Sequence, residues 1–522
     1  MLRLKQYLFL MASSVMVILW AGTAVAGKAD NTLRIAMSGP IVPLDIYTNP
    51  SDEAALGGSA VFNTLVAYNT KRSAYVGVIA ESWKSIDPLT LEVKIKPGLT
   101  FQDGSPLNAE DVAYTVNFLV NPDTKFVRKA RFLVFSGAEK VDDLTVRIKL
   151  REPYAMLMAR LTGMPIFPSD LHSKLGENFA DWGRAPVGSG PYKVVQFDQA
   201  KGIILERWEG YKLGPIPEVK RVILRSIPDA QSQMAEMMVK GIDLMIADTP
   251  EIVTALTANP DIAATDVEDL TYHFAYVDAA GRSELKVFKD KRVRQAVFHA
   301  IDRSAIKKKL ITGGSAVKDL DRICFPFQVD CPDDAKPLSY DPQKAKALLA
   351  EAGYANGFDL QVSTWGLSRP VAEAIVGYLR AVGIRAKVDI LTLAAYRKKQ
   401  ADGNLQMLVA YYTHGGLPDA GVGLEYYYSA PSQDYSGDAR LFELTTLANR
   451  EMDGAKRLQL MREAYDRMQN EAFIAPIAKS PSVIVHSKDV VVNSATRGDV
   501  QYAQWSFLES YGTTPPILGW AK

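Results

Sequence analysis

Segments with the two-residue period of a β-strand alternate, along most of this chain, with segments that have the period of an α-helix. Apolar and polar residues alternate through 91–95 and again through 144–150, which is typical of half-buried strands. Asp341 followed by Pro342 is a helix-start signal, and Gly353 marks the end of the same helix. Because strands that alternate with helices form sheets covered by helices, the chain is predicted to be an α/β protein.

The length of the chain, 522 residues, predicts several domains, at roughly 100–200 residues per domain. The strongest break in the pattern is the Pro- and Gly-rich segment 186–191, and 279–281 is the next. We expect several lobes, with connections that return to an earlier lobe. The net charge is +1 and no basic block stands out, so no nucleic-acid partner is predicted.

Residues 1–26 differ in character from the rest of the chain. Arg3 and Lys5 precede a short apolar run, and the segment ends in the small-x-small sequence AVA. This order is typical of a secretory signal peptide. The alternative is an anchoring helix, but the apolar run is shorter than the roughly 20 residues that a bilayer span needs. We predict export with cleavage after Ala26, and without lipid attachment, since no cysteine lies near that site.

The residues that usually build metal sites and catalytic sites are sparse. Cys324 and Cys331 lie close together, and in an oxidising compartment such a pair is typical of a structural disulfide. The five histidines are far apart in the sequence, so no metal site is predicted. The chain also lacks a His-Glu-x-x-His sequence, a nucleophile elbow and a Walker loop, which argues against an enzyme.

Aromatic residues collect where two predicted strands end. Trp365 ends the strand 358–365, and Tyr411 and Tyr412 end the strand 407–412; glycine-containing loops follow both. Proteins of the α/β class usually bind ligands at strand ends, and rigid aromatic side chains supply contact area at low entropic cost. These three side chains are therefore either the wall of a ligand pocket or core packing.

Six stretches together resemble the family 5 extracellular solute-binding proteins, the oligopeptide, dipeptide and nickel binders of ABC importers. They occur in the family's order and span nearly the whole chain after residue 26. They are VIAESWKSIDPLTLEVKIKPGLTFQDGSPLNAEDVAYTVNFL (78–119), PVGSGPYKV (186–194), ERWEGY (206–211), GIDLM (241–245), FKDKRVRQAVFHAIDRSAI (288–306) and YDPQKAKALLAEAGY (340–354). Most of these motifs are caps, turns and helix faces, so they indicate the fold and say little about the ligand.

The resemblance implies a two-lobed periplasmic binding protein of cluster C (type II). It would be a monomer without a cofactor that docks transiently on an inner-membrane ABC permease. Lobe I would comprise residues 27–62, 188–280 and 481–522, with an extra subdomain inserted at 63–187, and lobe II would comprise residues 281–480. The ligand would be enclosed when the two lobes close about a hinge.

Two positions of the family's ligand site can be compared with this chain. In peptide binders of the family, the strand that corresponds to 408–413 leads to an aspartate that pairs with the ligand's α-amine. Alignment on Pro418 places His414 at that aspartate, and an imidazole cannot replace a carboxylate as the counter-charge of an ammonium group. Asp419 could substitute if the loop were remodelled. Arg369 matches an arginine that binds the ligand's carboxylate in dipeptide binders.

We therefore predict a ligand with an acidic group and no obligatory free α-amine, such as a modified peptide, an opine or a sugar-phosphate conjugate. One alternative is a conventional di- or oligopeptide binder. Others from different classes are a secreted hydrolase with His414 as general base, and a chaperone or signalling receptor. The predicted ligand-binding residues are Trp365, Arg369, Tyr411, Tyr412, Thr413, His414 and Asp419.

Overall fold

The structure is a computed structural model that describes residues 27–49, 51–69, 73–126, 129–176, 178–267, 270–332, 335–413, 416–492 and 518–520. The predicted signal peptide, residues 1–26, lies outside these ranges. Within them, no helix combines the length and the apolar character that crossing a bilayer requires.

Lobe I is built on a mixed sheet of seven strands. In spatial order these are β12 (Ile262–Val267), β18 (Ser482–Ser487), β11 (Leu244–Ala247), β1 (Thr32–Met37), β10 (Arg221–Ser226), β9 (Gly202–Arg207) and β8 (Tyr192–Asp198). The central strand β1 is parallel to both of its neighbours, and its residues Leu33 and Ile35 are buried. Three helices contact the sheet: α1 (Asp52–Val61), α6 (Ala230–Met238) and α7 (Pro250–Thr257).

An extra subdomain, inserted in lobe I, contains a four-stranded antiparallel sheet. Its elements are, in spatial order, β4 (Ala80–Asp87), β5 (Thr90–Ile95), β7 (Thr145–Leu150) and β6 (Phe135–Asp142), with α2 (Ala109–Val120) against β6 and β7. The pair β2 (Val66–Asn69) and β3 (Ala74–Gly77) and the short helices α3 (Leu157–Thr162), α4 (Ser169–His172) and α5 (Phe179–Trp182) complete it. The predicted alternation is confirmed at Leu91, Val93 and Ile95, which are buried. Leu144 is exposed because it lies in the turn before β7.

The two chain connections between lobe I and the subdomain lie side by side. The side-chain amide of Asn63 donates to the carbonyl oxygen of Ser189 at 2.7 Å. A Cβ atom on Gly188 would stand 2.0 Å from the carbonyl oxygen of Val61, and one on Gly190 would be 2.5 Å from that of Ala60. The glycines of the predicted break at 186–191 are therefore required by close backbone packing.

Lobe II is built on a five-stranded mixed sheet. Its strands are, in spatial order, β15 (Arg385–Ile390), β14 (Asp359–Thr364), β16 (Met407–Tyr412), β13 (Tyr272–Val277) and β17 (Ile474–Lys479). Its α-helices are α8 (Lys291–His299), α9 (Arg303–Leu310), α10 (Pro342–Glu351), α11 (Arg369–Ala381), α12 (Leu393–Ala401), α13 (Gly421–Tyr428), α14 (Ala439–Arg450) and α15 (Gly454–Asn470). The helix predicted from Asp341 is confirmed, since that carboxylate accepts from Lys344 N at 2.8 Å. Beyond lobe II, β19 (Val490–Val492) pairs with β20 (Leu518–Trp520).

The first passage from lobe I to lobe II lies earlier than the sequence predicts. The sequence places the boundary after residue 280, yet β13 already belongs to the lobe II sheet, so the chain passes between Val267 and Tyr272. The segment 279–281 follows β13 inside lobe II, and its break in pattern is only a strand end. The return passage runs beside the first, because Ser480 N donates to Thr271 O at 3.0 Å.

The predicted disulfide between Cys324 and Cys331 is confirmed. It closes a lobe II loop that also touches the inserted subdomain, since the hydroxyl of Tyr68 donates to Phe327 O at 2.8 Å. The same loop pairs with Asp419 through an isolated β-bridge at Val329. The disulfide therefore fixes a loop at the junction between the two lobes.

Candidate ligand-binding cavity

A cavity of about 650 Å³ lies between the two lobes and is lined by both. Lobe I supplies the carboxyl ends of β1 and β11 and the first turn of α7, while lobe II supplies β13, β16 and the start of α11. The two passages between the lobes also line it, through Thr271 and Ser480. A cleft at the carboxyl ends of parallel strands is the usual ligand site of an open α/β sheet. The volume is in the range typical of small-molecule sites.

The alternation of β16 separates the predicted aromatic residues into two groups. Tyr411 and Thr413 line the cavity. Tyr412 points to the opposite face of the sheet, because successive strand side chains alternate, and its ring stacks on Tyr426 at 4.7 Å. Tyr412 is thus part of the lobe II core, and Tyr411 and Thr413 are on the cavity wall.

Trp365 lies beside the cavity and does not line it. Its ring stacks on that of Tyr396 with the centroids 4.1 Å apart, and the Tyr411 ring lies 6.3 Å away. The next residue, Gly366, has φ +52° and lines the cavity. A Cβ atom at this position would be 3.4 Å from the Tyr411 ring, so the missing side chain leaves room at the wall. Trp365 therefore supports Tyr396 and Tyr411 from behind.

Arg369 opens helix α11 and lines the cavity. Its side chain is more than half exposed, and its Nε donates to the carboxylate of Glu373, one turn along the helix, at 2.8 Å. An exposed pair of this kind contributes about 0.3–0.5 kcal/mol to helix stability, so little holds the guanidinium away from a ligand.

His273, which the sequence did not single out, is buried on β13 and lines the cavity. It lies directly opposite Tyr411 in the antiparallel pairing of β13 with β16. Its Nδ1 is 2.9 Å from the hydroxyl oxygen of Ser368, the residue just before α11. Burial lowers the pKa of the imidazole to about 4, so the ring is neutral at physiological pH. The sequence signal was available: a histidine within an otherwise apolar and aromatic strand.

The carboxylate of Asp419 is engaged by an internal partner. It is buried, and its two oxygens accept from the Arg457 guanidinium at 2.8 and 3.0 Å. Gly421 N donates to the same carboxylate at 2.8 Å. Asp419 is not among the residues that line the cavity, and its carboxylate is paired within the lobe II core.

His414 lies outside the described residues, so its place relative to the cavity is not defined. Among the described residues, no group of three or more His, Cys, Asp or Glu side chains is arranged to hold a metal ion.

Among the described residues, three acids and one lysine also line the cavity, and the sequence did not predict them. Glu53, Asp248 and Glu251 come from lobe I, and Lys309 comes from lobe II. The hydroxyl of Thr312 donates to the carbonyl oxygen of Asp248 at 3.0 Å, which joins the two lobes at the cavity edge. Asp248 and Glu251 are close in sequence, the fold of lobe I brings Glu53 to the same cavity, and the apposition of the lobes adds Lys309.

The chain is similar to known binding proteins over most of its length. The sequence model of the bacterial extracellular solute-binding proteins, family 5 Middle, matches residues 74–435. The glutathione-binding protein GsiB of Pectobacterium atrosepticum is 27% identical over 401 residues, which are 75% of this chain and 73% of that protein.

Solved structures of binding proteins share the fold. The substrate-binding protein CtaP of Listeria monocytogenes superposes with a TM-score of 0.82 at 20% identity, covering 95% of this chain and all of that one. The binding protein MoaA from A. tumefaciens R10, in complex with mannopinic acid, gives a TM-score of 0.71 at 21% identity, with 93% and 99% coverage. The two-lobed architecture is therefore that of cluster C binding proteins.

Proposed function

The chain belongs to the bacterial extracellular solute-binding proteins of family 5, and we propose that it is the periplasmic solute-binding component of an ABC importer. It is exported, cleaved after Ala26, and captures its ligand as a monomer. The ligand is a small peptide-like or acidic conjugate, of the modified peptide, opine or sugar-phosphate type. The protein encloses it between the lobes and delivers it to an inner-membrane permease.

The observation that carries this proposal is the cavity between the lobes, with Arg369 on its lobe II wall. A guanidinium group binds carboxylate or phosphate through two parallel hydrogen bonds. Tyr411 and Thr413 stand on the same wall and supply an aromatic face and a hydroxyl. Asp419, the sequence candidate for an amine anchor, is already paired with Arg457, which supports a ligand that needs no free α-amine.

A conventional di- or oligopeptide binder is the second candidate, and Glu53 and Asp248 favour it. Both are on the lobe I side of the cavity, where a carboxylate could pair with the α-amine of a peptide. A secreted hydrolase has less support, because the relatives are named as binding proteins.

The test is the thermal stability of the purified mature protein with two pools of compounds. One pool contains free-amine di- to pentapeptides, and the other contains N-acetyl peptides, opines and sugar phosphates. A compound at 100 times its dissociation constant stabilises the folded state by about 2.7 kcal/mol, which raises the melting temperature by a few degrees. We expect the shift with the second pool.

A shift with free-amine peptides that disappears on N-acetylation would overturn the acidic-conjugate proposal in favour of the peptide binder. Glu53→Gln then identifies the amine anchor, since it removes the shift only if that carboxylate pairs with the amine. Chemical conversion of the bound compound over hours would instead support a hydrolase, and its recovery intact would exclude one.

A further inference from the structure

We propose that His273 determines ligand specificity by presenting a fixed Nε2–H donor to an oxygen of the ligand's acidic group. This inference rests on the proposed function, because it assigns a role within the same cavity. It also names the ligand group that the lobe II wall binds: one that only accepts hydrogen bonds, such as a carboxylate or a phosphate. The contacts of two residues, His273 and Ser368, carry it.

The ring of His273 is hydrogen-bonded within the protein through one of its two nitrogens. The side chain is 3% exposed, and its hydrogen bond to the described residues is the one between Nδ1 and Ser368 Oγ. Nε2 is not fully enclosed by protein, and the residue lines the cavity. The second ring nitrogen is therefore open to the cavity and available to a ligand.

The partner of Nδ1 fixes the tautomer. Ser368 is fully buried, and among the described residues its hydroxyl has no other hydrogen-bond partner than His273. If Nδ1 carried the proton, the hydroxyl proton of Ser368 would be buried without an acceptor, at a cost of about 1–3 kcal/mol. If the hydroxyl donates to Nδ1, both groups are satisfied and the proton of the neutral ring is on Nε2. Nε2 is then a donor toward the cavity.

Because the Ser368 hydroxyl is bonded to His273, it does not cap helix α11. Ser368 is the N-cap residue of this 13-residue helix, yet its side chain caps no backbone N–H. The Arg369 N–H donates to Gly366 O and Pro370 has no N–H, so the start of α11 favours an anion through the helix dipole and not through free backbone donors. Leu367, Arg369 and Pro370, at that helix start, line the cavity.

Two donors therefore meet at one corner of the cavity, beside the start of α11: the His273 ring and the Arg369 guanidinium. A carboxylate or phosphate can accept from both of them. An ammonium or amide N–H group placed there would face donors only and lose its own hydrogen bonds. Neutral His273 supplies a hydrogen bond of fixed direction, and Arg369 supplies the positive charge.

The tautomer can be measured without any ligand. Long-range ¹H–¹⁵N correlations of the mature protein labelled with [¹⁵N]histidine distinguish the two neutral forms, and the His273→Gln variant assigns the signal. We expect the Nε2–H form for His273 at pH 7. The Nδ1–H form, or a protonated ring, would overturn the proposal.

The binding test uses the compound of the two pools that stabilises the wild type most, together with its neutral amide or ester. We expect His273→Phe to weaken binding of the acid at least tenfold, and to leave the weak binding of the neutral analogue unchanged. His273→Gln keeps an N–H donor near the Nε2 position and should stay within about threefold of wild type.

His299→Gln is the matched control, because His299 is equally buried, is bonded through Nδ1 to Ser339 O at 2.7 Å, and does not line the cavity. Unchanged binding by His273→Phe would overturn the proposal. If neither pool binds the wild type, the proposed function fails, and the tautomer measurement still decides the assignment of the His273 donor.

Discussion

At the scale of single residues, two arginines of lobe II have similar contacts and different positions. Arg369 and Arg385 each donate through Nε to a carboxylate, at 2.8 and 2.7 Å, and their side chains are 58% and 56% exposed. Only Arg369 lines the cavity. We predict that Arg369→Ala weakens binding of the acidic compound at least about tenfold, since a charge-assisted hydrogen bond contributes about 1.5–3 kcal/mol.

Titration calorimetry measures this effect, and Arg385→Ala is the control. The two variants should have the same unfolding free energy within about 0.5 kcal/mol. If both variants bound the compound equally well, Arg369 would not be a ligand-binding residue.

Asp419 stabilises lobe II through its ion pair with Arg457. We predict that Asp419→Asn lowers the unfolding free energy by about 1.5–3 kcal/mol, because the buried Arg457 guanidinium loses its bidentate partner and keeps only Asp330 as a counter-charge. Chemical denaturation measures the loss, and Asp359→Asn, at an exposed pair, is the control. A variant of normal stability that no longer binds its ligand would show that Asp419 acts on the ligand instead.

Buried histidines make stability depend on pH. Burial lowers the pKa of His172 to about 4, and its ring packs among Phe118, Phe167 and Trp182. In the unfolded chain the pKa is about 6.5, so the unfolded state binds the extra proton first as the pH falls. The stabilisation is complete above pH 6.5 and is lost toward pH 4, by on the order of 2–3 kcal/mol.

Urea unfolding at pH 7 and pH 4.5 tests this prediction by comparing wild type with His172→Phe. The wild type should lose more stability on acidification than the variant. An identical loss in both proteins would mean that His172 does not titrate as described.

At the scale of elements, the disulfide loop joins the lobe II core to lobe I. The loop carries Asp330, which pairs with Arg457, and Phe327, whose carbonyl accepts from Tyr68. We predict that replacing Cys324 and Cys331 by serine lowers the unfolding free energy by roughly 2–3 kcal/mol, as expected for a loop this short. A reducing agent should destabilise the wild type to the same degree and leave the variant unchanged; no effect on the wild type would contradict the prediction.

Much of the secondary structure is predictable because its signals are local. Asp341 caps α10 where predicted, and the alternation at Leu91, Val93 and Ile95 marks buried positions of β5. Tyr412 shows the limit of such signals. It follows Tyr411 directly and has the same chemistry, but the pleat turns it into the core, and the sequence does not say which face of β16 is covered.

At the scale of the whole molecule, direct contacts hold the subdomain against lobe II. Arg160 pairs with Glu425 at 2.6 Å, and the hydroxyl of Tyr154 reaches the same carboxylate at 3.3 Å. We predict that Glu425→Gln favours the open form and weakens ligand binding roughly two- to fivefold, as expected from losing a partly exposed ion pair.

Small-angle X-ray scattering of the free protein measures the opening as a larger radius of gyration. Glu443→Gln, which breaks an ion pair with Arg440 inside α14, is the control. Unchanged scattering and affinity would show that this contact does not bias closure.

The lobe I side of the cavity could not be predicted, because its residues come together only when segments distant in sequence pack against one another. Glu53 begins a helix and Asp248 follows a strand, and neither has a local signal that differs from an ordinary surface acid. Arg369 was predicted only because a family motif surrounds it. His273 became visible when β13 was placed beside β16.

The most direct test of the proposed function is calorimetric titration of the wild type with one acidic compound in three forms: unmodified, N-acetylated, and with its acidic group converted to a neutral amide or ester. The compound is the strongest stabiliser among those members of the two pools that carry both an amine and an acidic group. We predict that N-acetylation leaves the dissociation constant nearly unchanged and that neutralising the acid raises it more than tenfold. The opposite pattern would mean that the cavity recognises an amine, and that the protein is a conventional peptide binder.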